Sequence, residues 1–237
     1  MKTMKKIFLA TICIILIIFV LLGIKYIFPS KIILPEEQVT GLIEVPDWDG
    51  ESSYVVINDN IPFFTQSDLD LGPFEFYSEL DELGRCQIVW GNIGKEFMPT
   101  EERGSIGMIK PTGWQTPLPK YDFIDGGYLY NRCHLIGFQL TGENDNIKNL
   151  ITGTRYFNIE GMLPWENKVA SYIRKTENHV LYRVSPDFRG DNLLANGVLI
   201  EAYSIADQGR GISFCVYCYN VQPLIEIDYS TGEAYLK

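Results

Sequence analysis

The 237-residue chain has only two histidines, His134 and His179, and five cysteines. Cys215-x-x-Cys218 has no second cysteine pair, which argues against a zinc site. There is also no repeat and no low-complexity tract. With 46% hydrophobic residues, the chain is long enough for one globular domain with a real core. His179 stands in a polar turn, where we expect a surface residue.

Basic residues are scarce as well. Twenty Lys and Arg stand against 30 Asp and Glu, a formal net charge of -10. Residues 1–25 hold four lysines and no acid, so the remainder carries -10 - 4 = -14. That balance disfavours nucleic-acid binding, because phosphates are normally bound by basic surfaces. Residues 131–190, however, contain eight basic and six acidic residues, a local charge of +2. Because salt screens charges beyond roughly 8–10 Å, a local basic patch can act on an acidic body.

A long uncharged run lies at the N-terminus. Residues 7–24 are eighteen residues without a charge, preceded by three lysines. At about 1.5 Å per residue this run just spans a bilayer with its flanks. No A-x-A-like cleavage site follows, which favours an uncleaved anchor over a signal peptide, and the lysines predict a cytoplasmic N-terminus. We therefore predict a single-pass transmembrane anchor over 1–28, a tether over 29–48 and a globular domain over 49–237 outside the membrane. Secretion after cleavage near residues 28–35 is the alternative.

The rest of the chain mixes helical and strand patterns. The clearest helix is Glu160–Lys175, whose apolar residues recur at helical spacing. A shorter helix is expected over 74–83. Strands are predicted around His134 and at 54–57, 86–90, 106–109, 180–184, 198–203, 212–219 and 225–229. This pattern predicts an α+β fold with an antiparallel sheet.

One stretch carries the residues suited to chemistry. Asn131-Arg132-Cys133-His134 is followed by Asn149 and Asn158, nine residues apart, and by Glu166 on the predicted helix. Histidine is the side chain from which a general base near neutral pH is most easily built. An asparagine carbonyl oxygen completed by waters suits Mg²⁺. We interpret His134 as a base that activates water and Asn158 as the ligand of a hard divalent cation.

In these residues the chain resembles the DNA/RNA non-specific endonucleases with a ββα-metal site, most closely the bacterial membrane-anchored DNA-entry nucleases. Their signature is Asp-Arg-Gly-His, then two asparagines nine residues apart, then a glutamate on the next helix. Asn131 and Cys133 replace the aspartate and the glycine. The similarity runs to the C-terminus and, more weakly, upstream to Gly84-Arg85-Cys86 and to 110–114.

The resemblance implies an endonuclease domain over 49–237 that hydrolyses DNA, with RNA as a further substrate. It makes His134 the general base and Asn158 the ligand of Mg²⁺, with Mn²⁺ as the alternative ion. Arg132 would clamp a phosphate, and Glu166 would hold a water beside the metal. Asn149 would support the loop or the water network. No protein partner can be inferred.

Each of these residues also has a structural interpretation. His134 is then an ordinary core or surface histidine, Asn158 a helix cap, Asn149 a turn residue, Glu166 a solvated helix residue and Arg132 part of a buried ion pair.

Two further alternatives concern the cysteines and the whole chain. Cys86 and Cys133 form either a disulfide or two buried thiols. The acidic body and the changes at Asn131 and Cys133 leave open an anchored binding or adhesion module on a nuclease fold without catalysis.

Overall fold

A computed structural model of the protein describes residues 45–237. The predicted anchor and most of the predicted tether lie outside these residues. Residues 45–49 have no regular secondary structure. Within the described residues, no helix combines the length and the hydropathy of a membrane span.

The described part of the chain contains ten strands and three α-helices. The strands are β1 Tyr54–Val56, β2 Phe74–Tyr77, β3 Val89–Ile93, β4 Tyr130–His134, β5 Leu150–Thr154, β6 Val180–Asp187, β7 Gly197–Ser204, β8 Ser213–Tyr219, β9 Ile225–Ile227 and β10 Ala234–Leu236. The helices are α1 Gln66–Leu69, α2 Phe138–Thr141 and α3 Leu163–Thr176. A π-helical turn, Phe157–Met162, leads directly into α3. Single 3-10 turns lie at Asn58–Asn60, Lys95–Phe97 and Ile147–Asn149.

Six strands form one antiparallel sheet in the order β1-β8-β7-β6-β3-β2. The long strands β6, β7 and β8 form a meander in which consecutive strands are neighbours. Strand β3 pairs with β6 at the edge of this meander. β4 and β5 form a separate antiparallel pair, as do β9 and β10. The sequence prediction of a mixed fold with an antiparallel sheet is therefore confirmed.

A ββα unit, made of β4, β5 and the π turn with α3, packs on one face of the large sheet. Cys133, Phe157 and Val169 of this unit share a buried cluster with Tyr182 and Val198 of the sheet. Burying side chains of this size stabilises a fold by about 1.5–3 kcal/mol each. Burial of the unit's apolar face therefore fixes where the end of β4, and with it His134, lies.

The opposite face of the sheet buries an ion pair. Arg183 on β6 and Glu201 on β7 are cross-strand partners, and their side chains form two parallel hydrogen bonds of 2.7 and 3.0 Å. Glu201 also accepts the backbone N–H of Phe63 at 2.7 Å, and the ring of Phe64 lies 4.7 Å from the guanidinium carbon. The pair thereby ties the segment before α1 to the centre of the sheet.

Two local predictions were wrong. Residues 74–83, predicted as a helix, begin with strand β2, because Phe74 and Phe76 alternate and the Phe74 ring packs edge-on against Trp90 at 4.7 Å. Residues 106–109, predicted as a strand, form an irregular segment. The carbonyls of Gly107 and Ile109 accept hydrogen bonds from Arg132 instead of a neighbouring strand.

The cysteines of the described residues are free and buried. The Cys86 thiol donates to the carbonyls of Ile147 and Leu150, at 3.1 and 3.2 Å, so the buried-thiol interpretation holds and the disulfide does not form. Within residues 45–237, no three His, Cys, Asp or Glu side chains lie close enough together to hold a metal ion between them.

Replacing Glu201 by alanine leaves the Arg183 guanidinium buried without its carboxylate. We expect the free energy of unfolding to fall by about 3–5 kcal/mol, as measured by denaturant unfolding. Lys95→Ala is the control, since Lys95 and Glu177 form an exposed pair worth at most about 1 kcal/mol. Equal effects of the two substitutions would contradict the role given to the buried pair.

Candidate active site

His134 is the last residue of β4 and pairs with Leu150 of β5. Its side chain is buried, with Nε2 2.8 Å from the carbonyl oxygen of Asn144 and Nδ1 3.2 Å from a guanidinium nitrogen of Arg103. A carbonyl can only accept a hydrogen bond and a guanidinium can only donate one. The neutral ring therefore carries its proton on Nε2. Nδ1 holds the free electron pair and is the atom able to take a proton.

Burial is the main reason why the pKa of His134 falls to about 4. The positive charge of Arg103 lowers this pKa further, whereas the hydrogen bond to the Asn144 carbonyl raises it. The imidazole is thus neutral at pH 7, as a general base must be.

Asn149 holds the loop between β4 and β5. Its side chain is completely buried. The amide oxygen accepts the N–H of Ile136 at 2.8 Å, and the amide nitrogen donates to the carbonyl of the same residue at 2.9 Å. The N–H of Leu135 donates to the Asn149 carbonyl at 2.8 Å. Asn149 thus ends the 3-10 turn Ile147–Asn149 and, through these three bonds, also fixes the backbone immediately after His134.

Asn158 lies inside the π turn that follows β5, and its side chain is partly exposed. It does not cap the helix, because the residue before the turn is Tyr156 and helical geometry already includes Phe157. None of the side-chain hydrogen bonds within residues 45–237 involves its amide. The amide oxygen of Asn158 is thus available to a ligand.

Asn158 lines a cleft of about 340 Å³. Three arginines contribute to the same cleft, and no carboxylate lines it within the described part of the chain. The lining residues are Arg103, Ile106, Trp114, Leu118, Tyr128, Tyr130, Asn131, Arg132, Arg155 and Asn158. A concave site with charges of one sign focuses the field and attracts counter-charged ligands. The cleft is therefore a cationic pocket on an acidic protein.

Arg132 is held by backbone and not by an acid. It donates to the carbonyls of Ile109 and Gly107, the latter at 2.8 Å, and its guanidinium carbon lies 3.9 Å from the ring centroid of Trp114. The interpretation as a buried ion pair is therefore wrong. Two of its five N–H positions are used, which leaves donors for an anion in the cleft.

Two residues that line the cleft each have a buried nitrogen without a hydrogen-bond partner. These are the amide nitrogen of Asn131 and Nε of Arg155, although another nitrogen of Arg155 pairs with Asp125 at 2.7 Å. An unpaired buried donor costs roughly 1–3 kcal/mol.

Glu166 sits in the first turn of α3 and is buried, so the interpretation as a solvated helix residue is wrong. A Cβ added to Gly137 would lie 2.3 Å from its carboxylate, so the glycine permits this approach. Burial raises the pKa of Glu166 to about 7, and the charge of Arg103 opposes that rise. Arg103 thus acts electrostatically on both His134 and Glu166.

Sequence reasoning missed Arg103 and Arg155. Arg103 belongs to an irregular segment after two glutamates, and no local pattern marks it. The only local signal for Arg155 was its place three residues before Asn158. His179 is no part of this cleft, since its ring pairs with Glu96 at 3.1 Å.

The two asparagines are expected to differ in what they stabilise. Asn149→Ala removes both side-chain bonds to Ile136, and we expect the free energy of unfolding to fall by about 2 kcal/mol or more. Asn158→Ala removes no such bond, so its unfolding free energy should stay within about 0.5 kcal/mol of the parent. Denaturant unfolding of both variants measures this. A large loss in Asn158→Ala would assign that residue a structural role.

Comparison with known proteins supports one family. A family model for the DNA/RNA non-specific endonuclease matches residues 70–206. A deoxyribonuclease of Streptococcus dysgalactiae subsp. equisimilis is 34% identical over 110 residues, which are 44% of this chain but only 32% of that protein. The chain thus matches about a third of the relative's length.

Solved structures share the fold. NucA from Streptococcus agalactiae, with a magnesium ion bound, has a TM-score of 0.70 at 22% identity, covering 83% of this chain and 91% of that one. Sda1 nuclease with a bound zinc ion has a TM-score of 0.61 at 28% identity, covering 69% and 81%. Because the family model matches more than half of its length, the chain belongs to the DNA/RNA non-specific endonuclease family.

Proposed function

We propose that this protein is a metal-dependent endonuclease that hydrolyses phosphodiester bonds of DNA, and of RNA as a second substrate. The observation that carries the proposal is the imidazole of His134, whose unprotonated Nδ1 meets Arg103, an arginine that lines the adjoining cleft together with two others. The N-terminal apolar run supports a further proposal, that the domain is anchored to the cell membrane and acts outside the cell.

The residues of the cleft fit one kind of metal ion. Asn158 offers one neutral oxygen, and the described residues supply no set of three His, Cys, Asp or Glu for a fully protein-bound ion. Mg²⁺ keeps much of its water shell and accepts such a site, as does Mn²⁺. We therefore propose Asn158 as its protein ligand. A divalent cation there would stabilise charge on the phosphate and on the leaving 3′-oxygen. The magnesium ion bound to NucA is in keeping with this choice.

Arg103 links substrate binding to the base. In the free protein its guanidinium donates to Nδ1 of His134, the atom that must accept the proton of the attacking water. A phosphate offers the Arg103 guanidinium an opposite charge and two acceptor oxygens, whereas the neutral imidazole offers one uncharged acceptor. A phosphodiester in the cleft would therefore draw Arg103 from the imidazole and free Nδ1. Arg132 and Arg155 would hold the same phosphate through their remaining donors.

The two departures from the family signature leave the proposed base, metal ligand and arginines in place. The Cys133 side chain is buried in the core, and Asn131 is one of the residues that line the cleft. Neither change removes the base, the proposed metal ligand or the arginines. The alternative of a binding module without catalysis therefore gains no support from these two residues.

Cleavage by matched variants tests the proposal. The full chain in detergent should cut plasmid DNA with Mg²⁺, and EDTA should stop it. His134→Ala should lower kcat by about 10²–10⁴-fold, whereas the other histidine, in His179→Ala, serves as the control and should retain activity. Asn158→Ala should lose metal-dependent cutting and Asn178→Ala should not. A folded wild type that cuts neither DNA nor RNA with Mg²⁺ or Mn²⁺ would contradict the proposal.

The pH profile should report the buried imidazole. Since kcat/KM reflects the free enzyme, we expect it to fall as the pH drops through about 4, where His134 takes up a proton. Arg103→Gln removes a charge that lowers this pKa, so the acid limb should move to higher pH. Glu166→Gln is the control: it should abolish any inflection near 7 without moving the acid limb. An acid limb that stays in place in Arg103→Gln would count against the contact between Arg103 and His134.

A further inference from the structure

An exposed aromatic ring forms one wall of the cationic cleft. Tyr128 is 45% exposed and lines the same cleft as Arg132 and Asn158. Tyr130 lies two residues further along, is buried and donates its hydroxyl to the carbonyl of Gly232 at 2.9 Å. Tyr130 therefore has a structural role in the core, whereas much of the Tyr128 side chain is open to solvent.

The backbone holds Tyr128 firmly in spite of its exposure. Tyr128 forms an antiparallel bridge with Lys120. The flanking bonds run from the N–H of Leu129 to the carbonyl of Pro119 at 3.0 Å, and from the N–H of Tyr121 to the carbonyl of Gly127 at 2.9 Å. The bridge sets the side chains of Tyr128 and Lys120 together, and the ammonium lies 4.5 Å from the ring centroid. An aromatic face and a cation are thus presented as one unit.

An aromatic ring beside a positive charge is suited to bind a nucleobase. A flat ring in a groove of positive charge is what proteins use to stack bases while the backbone phosphates are bound. Inside a duplex the faces of a base are covered by its neighbours. A protein side chain can stack on a base only where that base is unpaired or turned out of the helix.

We propose that Tyr128, with Lys120 at its ring, is a stacking subsite for an unpaired nucleobase beside the phosphate held in the cleft. The inference rests on the proposed nuclease function and adds a preference to it. Single strands and unpaired ends bind this site more tightly than uninterrupted duplex does.

Binding measurements separate the subsite from catalysis. The full chain carrying His134→Ala is used so that nucleic acid is not cut. The probes are a fluorescein-labelled single-stranded DNA oligonucleotide and its duplex, with Mg²⁺, and fluorescence anisotropy gives Kd. Tyr128→Ala, Tyr128→Leu and Tyr128→Phe are compared in this background. Tyr235→Ala is the matched control, since Tyr235 is an exposed tyrosine outside the cleft.

Tyr128→Ala and Tyr128→Leu should weaken single-strand binding by about tenfold, within the range measured for lost base stacking, and duplex binding by less than about twofold. Tyr128→Phe and Tyr235→Ala should change neither. Tyr128→Leu keeps a large apolar side chain. Weaker single-strand binding by this variant would therefore identify the loss of the aromatic face, and not a fold defect, as the cause.

The possible failures are distinguishable. Wild type that cuts plasmid DNA, with Tyr128 variants that bind both probes as the parent does, would overturn the subsite alone. If the Tyr128 variants bound both probes more weakly by the same factor, the subsite would also be overturned, since Tyr128 would then contact single strands and duplex alike. Wild type that neither cuts nor binds either probe would overturn the nuclease function and the subsite together.

Discussion

The burial of the His134 imidazole at the end of β4, away from water, is the constraint on which the site depends. The ring of His134 is buried in contact with the Asn144 carbonyl and with Arg103, and this burial lowers its pKa to about 4. Asn149 then fixes the next backbone residues, and the Asn144 carbonyl sets which ring nitrogen carries the proton. Burial and the charge of Arg103 keep His134 neutral, whereas the bonds made by Asn149 and by the Asn144 carbonyl hold the ring with Nδ1 facing Arg103.

The charge distribution bears on the proposal that this acidic protein binds a polyanion. The formal net charge is -10, but the cleft is lined by three arginines and by no described carboxylate. A metal cation entering that pocket alone meets like charge, whereas a phosphate brings the opposite charge. Metal and substrate should therefore strengthen each other's binding, a coupling that is reciprocal by thermodynamic necessity. Because the positive charge is concentrated in the cleft, the proposed attraction for nucleic acid acts there and not over the whole surface.

Local sequence patterns predicted the parts of the fold that are local. The helix near Glu160–Lys175 and the meander strands follow from apolar periodicity, and β4 is the strand predicted around His134. The segment at 106–109 failed because its carbonyls bind Arg132, a contact over more than twenty residues. Arg103 was missed for the same reason: only the folded chain brings it to His134. The buried position of Glu166 likewise depends on its approach to Gly137, which no periodicity reveals.

The central claim is that one neutral amide oxygen, in an arginine-lined cleft, is the protein's ligand for a mostly hydrated cation. Anomalous diffraction from crystals of the full chain grown with Mn²⁺ and a non-hydrolysable oligonucleotide tests it directly. The account predicts one peak in the cleft, within about 2.0–2.3 Å of Oδ1 of Asn158, with His134 not coordinated to it. A cation bound by His134, or one in the cleft that does not contact Asn158, would contradict it.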